Sequence, residues 1–392
     1  MSQWAQIIRG RLEGDKVIWM IALILSVVSL LSVYSAISSL AYKANGNFLY
    51  FFLKQGSFLL LGLAVMYVVH KIHYKYFARL ANFILAAAIF TLILTLIFGA
   101  DINEAKRWLK VPFTNLTLQT SDFAKVALVL WIAKELHFRK DRLNDFKGEV
   151  TPILIRIGLV CGLILPADFS TAALLGLVAL SMLFIGGVPF KGLLKILGLI
   201  IISGISIYGV SEIAPDLVPR SKTWVKRVKQ FAGFSNGKTD VINSSGGSAE
   251  YQIDLAQVAI NHGGIFPSGP GSGTSRNFLP HPYSDMIYAF IIEEWGALIG
   301  GFGLLLLYYI LFYRTIQAAR KCERPFGSYL AMGLGLLITL QALINMGVSV
   351  RLLPTTGQPL PLVSFGGTSL LFTCLSIGLI LSVSRSPMLE VK

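Results

Sequence analysis

The chain alternates long apolar runs with short polar breaks. A helix that crosses a bilayer needs about 20 mainly apolar residues, with a usual range of roughly 17–25. That rule predicts about ten spans, at residues 17–38, 50–70, 79–100, 120–137, 150–166, 169–187, 192–212, 286–313, 327–349 and 364–384. Only Pro166, Ala167 and Asp168 separate the fifth from the sixth, so these two also read as one broken hairpin. No fixed-period repeat is visible, which argues against a solenoid. Nor is there a matching pair of broken helices, the sequence hint of an inverted-repeat transporter. The pattern therefore predicts an all-α polytopic membrane protein, one integral membrane domain over residues 1–392. Its longest connection, 213–284, joins the seventh and eighth spans.

Composition agrees. The 392 residues are 54% hydrophobic and only 14% charged, where a soluble domain carries about 25% charged residues. Mean hydropathy is +0.68. A net charge of +14 on a soluble protein would suggest nucleic acid. Here the basic residues fall in alternate short loops: Arg9, Arg11 and Lys16; Lys71, Lys75 and Arg79; Lys134, Arg139, Lys140, Arg142 and Lys147; Arg314, Arg320, Lys321 and Arg324. By the positive-inside rule both termini are cytoplasmic, the 213–284 connection is extracytoplasmic, and no nucleic-acid partner is implied. The first span reads as an uncleaved anchor. Cys161, Cys322 and Cys374 lie in or beside apolar runs without metal-ligand spacing, so no disulfide or zinc framework is expected.

Against this background several charges are costly: Lys54, Asp122, Lys125, Arg156, Asp168, Asp285, Glu293 and Glu294. Insertion scales charge roughly 2.5–3.5 kcal/mol for an Asp, Lys or Arg at a span centre. For Lys54, Arg156 and Glu294, mutual pairing that pins the bundle is the favoured reading. Most of the others gather toward the outer ends of their spans, which implies a cavity open to the outside. Asp285 stays open between two readings. As a helix cap its charge is worth about 0.3–1 kcal/mol. As a cavity carboxylate it is a general base or a cation ligand. Glu293 lies eight residues on, about 80° around the helix.

Three further segments stand out. LLPTTGQPLPLVSFGGTSLL, Leu352 to Leu371, is too rich in proline and glycine for regular helix and offers free N–H groups to a ligand. NHGGIFPSGPGSGTSRNFLP, Asn261 to Pro280, is glycine-rich, holds Arg276 and suits phosphate. SKTWVKRVKQFAGF, Ser221 to Phe234, spaces Trp224, Val228 and Phe231 helically beside Lys226, Arg227 and Lys229. It reads either as an amphipathic helix on the membrane or as a solvated basic helix.

Five ordered motifs now carry a resemblance. GPGSGTSRNFLPHPYSDMIYAFIIEEWG resembles the long outer loop and following helix of the SEDS family, to which FtsW and RodA belong. LLPTTGQPLPLVSFGGTSLL is similar to that family's segment before the last span. Ala105-Lys106-Arg107-Trp108 matches a third motif. SDFAK, Ser121 to Lys125, is similar to a fourth, with Asp122 where Glu is usual. PADFSTA, Pro166 to Ala172, resembles a fifth, with Ser170 where Gly is usual. Ser284, the run Met286-Ile287-Tyr288 and Phe365 are conservative departures. The PTTGQPLPL wording is similar to the division-type FtsW branch, and NFLPHPYSD to the Bacteroidota branch.

The resemblance implies a SEDS-type bundle with a large extracytoplasmic loop between helices 7 and 8. It implies a peptidoglycan glycosyltransferase that polymerises lipid II at the outer face of the bacterial cytoplasmic membrane, for cell division or cell shape. The implied partners are a class B penicillin-binding protein, which is a transpeptidase, other divisome or elongasome proteins, and membrane lipids. The implied cofactor is a divalent cation, Mg²⁺ or Mn²⁺. The family's essential acid carries over to Asp285, as catalytic residue and metal ligand. The leaving lipid pyrophosphate needs positive charge, for which Lys106, Arg107, Lys125, Arg227 and Arg276 are candidates, Arg being suited to bidentate contact. Pro361, Ser364, Gly366 and Gly367 are substrate-binding candidates in the proline- and glycine-rich segment. Asp168 and Glu293 are supporting residues. An ordinary Asp, with pKa near 3.9, is a weak base, so orientation and charge stabilisation are expected to outweigh basicity. Two rival readings are a lipid II flippase or transporter and a non-catalytic division scaffold.

Overall fold

The computed structural model describes residues 13–36, 48–102, 105–110, 117–196, 198, 249–275 and 283–390. The predicted amphipathic segment at 221–234, with Arg227, lies outside them. So do Arg276 and most of the predicted span 192–212.

The described chain is mainly helical. The helices are α1 (Lys16–Ala36), α2 (Phe48–Lys71), α3 (Tyr74–Phe98), α4 (Thr120–Phe138), α5 (Thr151–Ile164) and α6 (Phe169–Ile185). They continue with α7 (Ala249–Gly263), α8 (Ile287–Trp295), α9 (Leu304–Lys321), α10 (Pro325–Ser349) and α11 (Gly367–Glu390). Six helical stretches are long and apolar enough to cross a membrane: Lys16–Ala36, Leu49–Lys71, Tyr74–Phe98, Ile287–Lys321, Pro325–Ser349 and Gly367–Arg385. α4 is long enough but carries Asp122, Lys125, Lys134 and Glu135. It is also well buried, with Ala124 and Val126 to Ala133 all in the core. Its charges are thus sheltered by the helices around it.

The helices run up and down between two distinct ends. One end holds the ion pairs Arg314–Asp15 at 2.6 Å, Arg139–Glu135 at 2.8 Å, Arg139–Glu149 at 2.7 Å and Arg385–Glu13. At the other end α4, α6, α8 and α11 begin and α3, α5 and α10 finish. The polar candidates Arg107, Asp122, Lys125, Asp168, Asp285 and Ser364 are all at this second end.

Two features depart from the predicted all-helical pattern. Ala105-Lys106-Arg107-Trp108 is not loop but part of a three-stranded antiparallel sheet: β1 (Ala100–Ile102), β2 (Ala105–Lys110) and β3 (Thr117–Gln119). Trp108 pairs with both Ala100 and Gln119, which ties the end of α3 to the start of α4. The predicted span 286–313 is also not one helix. A π-helical turn, Gly296–Gly303, separates α8 from α9. Gly296 has φ +74°, and a Cβ there would stand 2.6 Å from the Ile265 carbonyl oxygen. Only glycine allows that approach. The segment after α7 packs into the break, with Ala297 N donating to Gly264 O at 3.0 Å and Leu298 N to Ile265 O at 3.2 Å.

Candidate functional site

The site assembles around a turn and a non-helical strand. Residues 283–286 form the turn that enters α8, and 354–360 run without regular structure before α11. Three hydrogen bonds from α10 and from the residues just after that strand hold the turn. Phe365 N donates to Tyr283 O at 2.8 Å, Ser364 Oγ to Ser284 O at 2.8 Å, and Asn345 Nδ2 to Asp285 O at 2.8 Å. The same Asn345 amide also donates to Gln358 O at 2.8 Å, and Ser364 Oγ accepts from Leu360 N at 2.7 Å. A stretch rich in proline, which lacks its own N–H, cannot pair with itself, so neighbouring side chains satisfy its carbonyls.

Asp285 is half-buried at the head of this turn. The N-cap position of α8 belongs to Met286, one residue on, which makes no side-chain cap. Asp285 Oδ1 accepts from Ser284 Oγ at 2.9 Å. Its other oxygen faces Gly357, where a Cβ would stand 3.7 Å from Asp285 Oδ2 and 3.5 Å from Arg107 Nη1. The lack of a side chain at 357 therefore leaves the carboxylate and the guanidinium facing across one small gap. Burial raises the Tyr283 phenol above its ordinary pKa, and the charge of Asp285 pushes in the same direction.

Arg107 comes from β2 and is fixed by the α5–α6 connection. Its Nε donates to Ala167 O at 2.8 Å, and Nη1 lies 3.3 Å from Asp168 Oδ2. Asp168 is also the N-cap of α6, its Oδ1 accepting from Thr171 N at 3.1 Å. Arg107 and Asp168 share a recess with Leu92, Thr95, Ser121 and Leu163.

Lys125 belongs to a neighbouring recess. It pairs with Asp122 at 2.7 Å and donates to Gln341 Oε1 at 2.9 Å. Gln341 in turn donates from Nε2 to Pro359 O at 2.9 Å. Pro361 lines this recess with Asp122 and Lys125, and its carbonyl accepts from Tyr308 OH. Gly366 and Gly367 serve close packing: Cβ atoms there would meet Ser369 Oγ at 2.4 Å and the Phe58 ring at 3.1 Å.

The remaining carboxylates brace the site. Glu293 Oε1 accepts from Thr274 N at 2.9 Å, Ser275 N at 3.1 Å, Ser275 Oγ at 3.0 Å and Thr274 Oγ1 at 3.3 Å. Glu293 thus points into the glycine-rich loop rather than along the Asp285 side of α8. Glu294 Oε1 accepts from Gly271 N at 2.9 Å and from Ser35 Oγ. Arg156 has no carboxylate partner among the described residues; its guanidinium sits 5.0 Å from the Trp131 ring centroid. Lys54 has no carboxylate partner among the described residues.

Sequence reasoning missed Asn345 and Gln341. They stand four apart, hence on one face of α10. Two neutral amides at that spacing in an apolar span were the available signal.

A bundle of membrane-length helices, with a carboxylate and a guanidinium facing each other at one rim, defines a multi-pass membrane protein with a polar site near the bilayer surface. The chain belongs to the FtsW/RodA/SpoVE family, whose model, described as cell cycle protein, matches residues 15–388. A relative from Thioalkalivibrio sulfidiphilus, named probable peptidoglycan glycosyltransferase FtsW, is 34% identical over 378 residues, covering 93% of this chain and 89% of that one. A relative of the same name from Geobacter metallireducens is 32% identical over 374 residues, covering 94% of each chain. Among solved structures, a chain from work on structural coordination of polymerization and crosslinking by a peptidoglycan synthase complex superposes with TM-score 0.75. It is 23% identical, covering 95% of this chain and 98% of that one. The rod shape determining protein RodA of Thermus thermophilus superposes with TM-score 0.64 at 23% identity, covering 95% and 97%. Both likenesses concern the fold.

Proposed function

We infer that this protein is a peptidoglycan glycosyltransferase that polymerises lipid II into glycan strands at the outer face of the bacterial cytoplasmic membrane. The relatives' shared name supports the reaction. The single structural observation that carries the site is the gap at Gly357, with Asp285 on one side and Arg107 on the other.

The reaction joins two sugars carried by lipids. A hydroxyl of one attacks the anomeric carbon of the other, and a lipid pyrophosphate leaves. Holding both in register removes encounter entropy worth up to roughly 7–11 kcal/mol. Asp285 accepts the proton of the attacking hydroxyl as the bond forms. Arg107 faces the leaving pyrophosphate with the N–H groups that Ala167 and Asp168 do not occupy, in the geometry guanidinium shares with phosphate.

A divalent cation belongs to the reading as well. Among the described residues no three His, Cys, Asp or Glu side chains converge on one point. Asp285 offers a single carboxylate, which fits Mg²⁺ or Mn²⁺ bound through one carboxylate and substrate phosphates. When bound there, the ion supplies positive charge to the departing pyrophosphate.

The basic end of the bundle supports a cytoplasmic placement of both termini and an outward-facing site. The likeness to a synthase complex that polymerises and crosslinks supports a transpeptidase partner, a class B penicillin-binding protein. The FtsW name of the relatives supports a division role. The test is purified protein with its partner, labelled lipid II and Mg²⁺ or Mn²⁺. Wild type yields glycan ladders and Asp285→Asn does not. Ladders of equal intensity from both would end the assignment of Asp285.

A further inference from the structure

Gln341 and Asn345 form a two-rung amide ladder on α10. Each donates through its side-chain nitrogen to a backbone carbonyl of the non-helical strand, Gln341 to Pro359 and Asn345 to Gln358. The Asn345 rung reaches further and holds Asp285 O with the same nitrogen. Asn345 is 2% exposed and Gln341 5%. Their helix, α10, is packed against α4, α9 and α11. A buried helix is thus bonded both to Asp285 and to the residue that follows Gly357.

We propose that Asn345 is a positioning residue for glycosyl transfer, which sets the distance between the Asp285 carboxylate and the Gly357 wall. The inference rests on the reading of Asp285 given above. One amide group donates two hydrogen bonds, to two segments 73 residues apart in the chain. Ser364 Oγ makes a second tie between the same segments, donating to Ser284 O and accepting from Leu360 N, but only Asn345 bonds Asp285 and Gln358 themselves among the described residues. Ser364 and Phe365 hold the same turn at residues 284 and 283, and Asn345 holds it at the Asp285 carbonyl. Removing the amide leaves the turn attached but lets the carboxylate drift. A displacement of that kind lowers the chemical step more than it lowers substrate binding.

The test compares wild type, Asn345→Ala and Asn345→Asp in two assays. Asn345→Asp keeps the size and loses both N–H donors. Hydrogen exchange reads the staple: segments 283–286 and 358–365 exchange at least tenfold faster in both variants, while the basic-end helices are unchanged. Polymerisation of lipid II reads the consequence: kcat falls tenfold to hundredfold, with KM within threefold of wild type. Unchanged exchange at 283–286 overturns the staple. Faster exchange with a wild-type kcat, or a loss confined to KM, overturns the positioning role. Wild-type protein that makes no polymer refutes the glycosyltransferase reading instead, and the exchange data still decide whether Asn345 holds the turn. A variant that unfolds fails the basic-end exchange control; Gln341→Ala, which removes the neighbouring rung together with the acceptor of Lys125, then carries the exchange test at 358–365, and unchanged exchange there overturns the ladder.

Discussion

Asp168 and Arg107 are joined in a way that divides the two oxygens of one carboxylate: Oδ1 caps α6 through Thr171 N at 3.1 Å, and Oδ2 lies 3.3 Å from Arg107 Nη1. The two roles separate by mutation. Asp168→Asn keeps an oxygen for the cap and removes the charge that faces Arg107. Its thermal midpoint in detergent stays near wild type, and glycan synthesis falls about tenfold, the equivalent of about 1.4 kcal/mol. Asp168→Ala also loses the cap, which costs about 0.5–2 kcal/mol, so its midpoint drops as well. Full activity in Asp168→Asn would show that the pair does not orient Arg107.

Gly357 makes a sharper test of the gap. A Cβ there meets Arg107 and Asp285 at 3.5 and 3.7 Å, ordinary contact distances, so Gly357→Ala is tolerated sterically. The methyl nonetheless occupies the space where the two groups face each other. Polymerisation is expected to fall more than tenfold with the thermal midpoint unmoved. A fully active Gly357→Ala protein would mean that substrate does not pass between these residues.

These residues differ in how far the chain alone revealed them. Long apolar runs favour helix, the structure that satisfies its own backbone, so most of the predicted segments fall on described helices, six stretches of which are long and apolar enough to cross a membrane. Asp285 and Asp168 drew notice in the sequence because charge near a span is expensive, and Arg107 because of the family motif that holds it. Asn345 and Gln341 did not, since a neutral amide leaves little mark on a hydropathy profile. The hairpin at 100–119 escaped because its strands, such as Ala100–Ile102 and Thr117–Gln119, are only three residues long. Their pairing depends on where α3 and α4 bring them. The break at Gly296–Gly303 was signalled by four glycines in eight residues, GALIGGFG. Its cause, the loop that fills it, is tertiary.

That loop is held by Glu293, and the hold is testable. Four donors converge on one buried oxygen. Glu293→Gln keeps an oxygen acceptor, whereas Glu293→Ala strands two backbone N–H groups and two hydroxyls. Each buried donor without a partner costs about 1–3 kcal/mol. Thermal unfolding in detergent should therefore show a much larger loss for Ala than for Gln. Equal losses would mean that the negative charge, and not the hydrogen bonds, fastens residues 274 and 275.

Glycines 263 and 162 predict opposite outcomes for the same substitution. A Cβ on Gly263 would lie 2.2 Å from the Ile292 carbonyl oxygen and 2.7 Å from the Glu293 Cα, both backbone atoms that cannot turn aside. Gly263→Ala must push the end of α7 off α8, and overpacking of this kind costs about 1–3 kcal/mol. The displaced segment leads into the loop on Glu293, so polymer synthesis falls together with stability. Gly162, on an exposed face of α5, meets nothing within 4 Å. Gly162→Ala removes backbone freedom from a helix interior, worth about 0.5–1 kcal/mol, and leaves both the thermal midpoint and activity at or slightly above wild type. Should Gly263→Ala behave like Gly162→Ala, α7 does not rest against α8 as closely as its backbone contacts require.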